Sequence, residues 1–256
     1  MTFCLAMKVR EGLLAISDSR ITSGGETSTA SKVAVNEEER HSMFVMTSGL
    51  RSARDKALTY FEDTLEQTHA TFDKLYKAVN AFAAQVRLVD AEDREALHAS
   101  NLSFNLHALI GGQFENDREH RLYLLYPQAN WVEVSRETPY FVIGESGYAK
   151  PLLDRSLRYE TPLPLALKIG YLAFEATRTS TTATDFPMDV VIYHRGSFHI
   201  QQRRYEAAEL AETSRWWTES LRGLIEAMPS DWANEAFRDT IRSNVTPLLK
   251  STLEEG

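Results

Sequence analysis

The sequence predicts an α+β fold in which antiparallel sheets are covered by helices. Three observations carry that expectation. Strand-like and helix-like segments come in blocks: strands, two helices, strands, two helices, strands and a helical tail. Turn-forming clusters such as Arg10-Glu11-Gly12 and Arg195-Gly196-Ser197 join neighbouring strand patterns, as hairpins require. The 256 residues are 43% hydrophobic and 25% charged, enough to build a sizeable core and too apolar for wholesale disorder.

The first 50 residues read as strands. Thr2 to Val9 and Leu13 to Ser17 form a tight hairpin, and the second run ends in Asp18-Ser19-Arg20. Ile21 to Ser31, rich in Ser, Thr and Gly, reads as a loop. Lys32 to Val35 and Met43 to Thr47 make the next strand pair, closed by Ser48-Gly49. Helical spacing then places Ala53, Ala57, Tyr60, Phe61, Thr64 and Leu65 on one face. A second helix from about Thr71 carries Leu75, Val79, Phe82, Ala83 and Val86, and Asp90 to Ser100 continues as an exposed helix or loop. Strands return at Phe104–Gly112, Arg121–Tyr126, Trp131–Val134 and Tyr140–Ile143. Gly144-Glu145-Ser146-Gly147 is a strand-to-helix junction leading into a helical run through Leu157. Pro162 and Pro164 open a helix through Arg178, and Thr177 to Asp185 is a polar loop. Met188–Tyr193 and Phe198–Gln202 form a last hairpin. From about residue 205, two helical patterns (Ala207–Met228 and Trp232–Leu253) are split by Met228-Pro229-Ser230-Asp231.

Charge and cysteine usage narrow the function classes. A net charge of −8 without a Lys/Arg-rich run argues against a nucleic-acid or anionic-membrane partner. Residues 206–256 hold ten acidic and five basic residues, so most of that charge sits in the helical tail. The single cysteine, Cys4, excludes a disulfide framework and a multi-cysteine zinc site, and as a small buried residue it reads as packing. His194 and His199 are a weak metal signal, and no metal or cofactor is expected. No apolar run approaches a membrane span and no signal-peptide layout is present, so a soluble cytoplasmic protein is expected. The sequence has no phosphate-binding GxxxxGK[ST], no GxGxxG, no HExxH and no GxSxG.

Met1-Thr2 is the informative start. A small second residue predicts removal of the initiator, which leaves Thr2 with a free α-amine. Such an amine, with an ordinary pKa near 7.7–8.0, is a usable base at neutral pH. On the same residue as a hydroxyl, it can activate that hydroxyl without a histidine.

With Gly12-Leu13-Leu14-Ala15-Ile16-Ser17-Asp18-Ser19-Arg20, Lys32, the Ser48-Gly49 turn and the Gly144–Gly147 turn, the chain resembles the N-terminal nucleophile hydrolases of the proteasome β-subunit superfamily. Within it the likeness is greatest to the bacterial Anbu family, whose members begin Met-Thr, carry the SDSR run and extend the fold with C-terminal helices. The resemblance implies a four-layer αββα sandwich of two antiparallel sheets, with a core over 2–205 and a helical extension over 206–256. It implies Thr2 as nucleophile, Asp18 paired with Lys32 to lower the pKa of Thr2, Gly49 as oxyanion donor and Ser146 on the proton route. The superfamily's Asp-x-x-Ser-Gly-Gly segment is replaced here by Thr181 to Pro187, with Thr182 and Asp185 as stand-ins.

The implied function is a threonine-type peptidase or amide hydrolase, self-assembled in a ring or a helical oligomer. The alternatives are a small-molecule amidase, or a non-catalytic assembly protein on the same fold, which Trp216, Trp217 and Trp232 in the tail favour. Peptide or small-amide substrate and further copies of the chain are the expected partners. The sequence names no unfoldase.

Overall fold

The computed structural model describes residues 2–23, 26–68 and 72–237. They fall into two units, divided between Glu209 and Leu210. The first unit opens with β1 (Phe3–Val9), β2 (Gly12–Asp18), β3 (Arg20–Ser23), β4 (Glu26–Thr29), β5 (Val33–Glu38) and β6 (His41–Ser48). Helices α1 (Arg51–Thr68) and α2 (Leu75–Ala99) follow, then β7 (His107–Phe114), β8 (Arg121–Leu125), β9 (Trp131–Glu133) and β10 (Tyr140–Gly144). Helices α3 (Lys150–Ser156) and α4 (Leu163–Ser180) precede β11 (Met188–His194) and β12 (Ile200–Tyr205).

Two five-stranded antiparallel sheets form the centre, in the orders β10-β1-β2-β11-β12 and β5-β6-β7-β8-β9. The period of two along each strand explains how they stack. Cys4, Ala6, Leu13 and Ala15 of one sheet meet Phe44, Met46, Leu109 and Leu122 of the other in a single buried layer. The alternate side chains face the helices. Met43, Val45, Ala108 and Ile110 pack under Ala53, Ala57 and Phe61 of α1 and under Leu75, Val79, Phe82 and Val86 of α2. On the other side, Phe3 stacks edge-on against Phe174 of α4 at 6.0 Å. A Cβ on Gly170 would come 2.6 Å from Ile16 and 2.7 Å from Met7, so glycine lets α4 lie close on the sheet. The result is the expected αββα sandwich. Strands β1 and β2 are buried on both faces, which is why Phe3–Met7 and Leu13–Ile16 read as continuous apolar runs.

Several elements differ from the sequence expectation. The Ser/Thr/Gly-rich stretch expected as a loop carries the two-stranded ribbon β3–β4, held by backbone pairing and not by an apolar pattern. Asp90 to Ala99 continues α2 as helix, and the last strand runs Ile200–Tyr205, two residues later than expected. The first turn of α2 is capped from far away: Asp117 Oδ2 accepts hydrogen bonds from the Leu75 and Phe114 N–H groups. In the second unit, α5 (Ala207–Glu226) continues from the first and buries none of its side chains. Residues 231–237 are helical, and the rest of the expected Trp232–Leu253 helix lies outside the described residues.

His120 gives the core a pH limit. It is fully buried with Nε2 2.8 Å from the Val9 carbonyl, and burial pushes its pKa down to about 4. Between the ordinary histidine value near 6.5 and about 4, the unfolded chain binds a proton that the native chain refuses. Stability should therefore fall as pH drops through that window, by about 3 kcal/mol for this group. Urea unfolding of wild type and His120→Phe at pH 7 and pH 4 checks it; an equal acid loss in both refutes the assignment.

Candidate active site

The ends of strands from both sheets meet at one edge of the sandwich. Phe3, the first residue of β1, pairs with Gly144 at the end of β10. The Thr2 carbonyl accepts a hydrogen bond from the Glu145 N–H at 2.8 Å, which anchors the chain just before β1 to the Gly144–Glu145 turn. Gly144 has φ +83°, and a Cβ there would sit 1.8 Å from the Thr2 oxygen. Only glycine permits that approach.

Asp18 closes β2 and is completely buried. Its Oδ1 accepts the Phe3 N–H at 2.8 Å. Its Oδ2 lies 2.7 Å from Lys32 Nζ, and the two side chains are 0% and 6% exposed. One carboxylate thus fixes the start of β1 and the lysine together. Burial raises the Asp18 pKa, and the opposing pull of Lys32 only partly offsets it. The free thiol of Cys4, two residues along β1 from Thr2, is also buried and pushed far up by desolvation, so it is not a competing nucleophile.

Thr2 and Lys32 line a cavity of about 80 Å³ together with Arg20, Thr47, Gly49, Arg51 and Arg54. Gly49 sits at φ +134° with its Cα hard against the Asn105 carbonyl, where a Cβ would come within 2.5 Å. Of the residues expected from the sequence, the fold brings Thr2, Asp18, Lys32 and Gly49 together. Ser146 lies half-buried in the turn that holds Thr2, but it is not among the lining residues. Asp185 approaches only through Arg20, at 3.5 Å, and Thr182 is exposed in its loop.

Sequence reasoning missed Thr47, Arg51 and Arg54. The arginines stand on the first turn of α1, where the helical pattern draws attention only to the apolar face. Arg20 was visible as the last residue of the SDSR run. Behind it, Ser19 Oγ donates to Asp189 Oδ2 at 2.6 Å, and Arg204 braces the same carboxylate. That network ties β2 to β11 and β12 and keeps the Asp18 end of β2 rigid.

No protein-family model matches the sequence, and no curated protein does. Solved structures do. The helical assembly of the Anbu complex from Pseudomonas aeruginosa superposes with a TM-score of 0.84 at 29% identity, over 90% of this chain and 98% of that one. Anbu from Yersinia bercovieri, described as an ancestral β-subunit, has a TM-score of 0.82 at 30% identity, over 89% and 98% of the two chains. The chain belongs to the Anbu family. An Anbu variant from Hyphomicrobium sp. strain MC1 matches at a TM-score of 0.82 and 26% identity, over 90% and 98%. The Anbu fold is of the N-terminal nucleophile hydrolase type, and in this Anbu chain Thr2 is part of the cavity lining.

Proposed function

We propose that the chain is an N-terminal threonine hydrolase that cleaves an amide bond. The observation that carries this reading is the buried Asp18–Lys32 pair, 2.7 Å apart, beside Thr2. Once Met1 is removed, the α-amine of Thr2 takes the proton of its own hydroxyl as Oγ attacks the substrate carbonyl. The Lys32 ammonium, oriented by its ion pair with Asp18, lowers the pKa of that hydroxyl. The Gly49 N–H serves as oxyanion donor, a contribution of about 3 kcal/mol in comparable sites. The tetrahedral intermediate then collapses with cleavage of the C–N bond as the α-ammonium returns that proton to the departing amine, and the Thr2 acyl ester is hydrolysed by water with the freed α-amine again as base. Ser146, in the turn that holds Thr2, is assigned to the proton route, with Thr182 and Asp185 as more distant contributors. Residues 2–205 form the hydrolase core and 206–256 an extension for assembly.

Self-assembly is part of the same proposal. It is supported by the likeness to the Pseudomonas aeruginosa helical assembly and by the exposure of Trp216, Leu224, Ile225 and Trp232 in the extension. The non-catalytic alternative keeps this surface and discards the chemistry.

One preparation separates the two. Intact mass of the purified protein should lack Met1, and a β-lactone that acylates threonine should add one adduct at Thr2 and none to Thr2→Ala. Turnover of a peptide library should fall at least about 10³-fold in that variant. Retained Met1, or an unmodified Thr2, overturns the hydrolase. Elution of the same protein as a multiple of 29.0 kDa supports assembly, and a monomer counts against it.

A further inference from the structure

We propose that the Thr2 cavity selects an acidic side chain, so that the bond cleaved follows Asp or Glu. This deepens the hydrolase reading and rests on it for the position of the attacked carbonyl. In a chain of net charge −8, the seven residues that line the cavity include Arg20, Lys32, Arg51 and Arg54 and no carboxylate.

The carboxylates that balance these cations are paired with them and are not lining residues. Asp18 holds Lys32 at 2.7 Å. Asp55 is shared by two arginines, 3.3 Å from Arg51 Nε and 2.7 Å from Arg54 Nη2. Asp185 is shared by Arg20 at 3.5 Å and Arg178 at 3.9 Å. Arg178 has a second partner in Glu175 at 2.6 Å, so Asp185 is left to Arg20; the surplus positive charge sits at Asp55, which balances only one of Arg51 and Arg54, in a small concave space where the field is concentrated.

Hydrogen bonding points the same way. Thr47 Oγ and Arg20 Nε are buried, and neither has a hydrogen-bond partner among the described residues. Arg20 Nε can only donate, and the Thr47 hydroxyl has a donor to spend. A carboxylate offers only acceptors and suits both, whereas an amide of the same shape would turn its NH₂ toward donors. Arg54 is also held in place: its side chain is 17% exposed and its Nη1 donates to the Ser31 carbonyl. Little rotamer freedom is then lost when a ligand binds.

The test uses two fluorescent peptides that differ only in Glu against Gln, titrated against full-length Thr2→Ala so that chemistry is silent. Tighter binding of the Glu peptide, roughly tenfold to hundredfold, is expected. The preference should shrink with added salt. It should collapse in Arg54→Gln and in the rim variant Arg51→Gln, with the Gln peptide unaffected. Equal binding, a preference for Gln, or no binding of the Glu peptide overturns the proposal. If wild-type Thr2 is still acylated by a β-lactone in that case, the hydrolase reading stands and only the acidic preference falls. A Glu preference in a protein whose Thr2 is never acylated leaves this anion site intact and removes the hydrolase.

Discussion

Asp18→Ala should lose about 3–5 kcal/mol of stability and all acylation of Thr2. The buried carboxylate serves two groups at once, the Phe3 N–H and Lys32 Nζ. Its removal strands an ammonium whose side chain is 6% exposed and leaves a buried backbone donor without its acceptor. The double variant Asp18→Leu/Lys32→Met distinguishes the structural contribution from the chemical one. Replacing both charges by apolar groups of similar size should recover most of the lost stability, because no charge is left stranded. It should recover none of the acylation, because the lysine ammonium assigned to lower the pKa of the hydroxyl is gone. Urea midpoints and the mass of the β-lactone adduct give the two readouts. A double variant as unstable as the single one refutes the account of the pair, and one that still acylates refutes its catalytic part. Since burial raises the Asp18 pKa, the acid limb of wild-type activity should also lie above the usual aspartate range.

Gly144→Ala should be nearly as damaging, by a different route. The new Cβ would stand 1.8 Å from the Thr2 oxygen and 2.7 Å from its carbonyl carbon, at a residue already in the left-handed region at φ +83°. The obstacle is backbone, so no side-chain rotamer relieves it. The overpacking and the unfavourable φ together imply a loss of about 2–5 kcal/mol. The Glu145 N–H to Thr2 bond would break and Thr2 would leave its place in the cavity lining, so acylation should be lost as well. Gly147→Ala is the internal control. Nothing lies within 4 Å of a Cβ there, and its effect should stay within about 0.5 kcal/mol. Similar melting temperatures and similar adduct yields for the two variants would refute this account of how the turn seats the nucleophile.

Much of the fold was legible because local patterns and tertiary packing agree. Ala53, Ala57 and Phe61, spaced for a helix, are the residues that α1 buries. The apolar runs before and after Gly12 are strands buried on both faces. The β3–β4 ribbon was not legible, since its stability comes from pairing of backbone groups that every residue carries. The cap of α2 was invisible for another reason: Asp117 lies 42 residues beyond the N–H it receives.

The site divides along the same line. By itself the sequence determined the strand and helix order, the segregated α+β class, and the placing of Thr2, Asp18, Lys32 and Gly49 at the ends of strands, because periodicity and turn chemistry are local. Only the tertiary structure decided that β11 lies between β2 and β12, that Asp18 reaches both Phe3 and Lys32, and that Arg20, Arg51 and Arg54 converge around Thr2. Those positions come from different strands and a helix in separate layers. Sheet order and the stacking of the two inner faces set the distances between them, and sequence spacing carries no information about either.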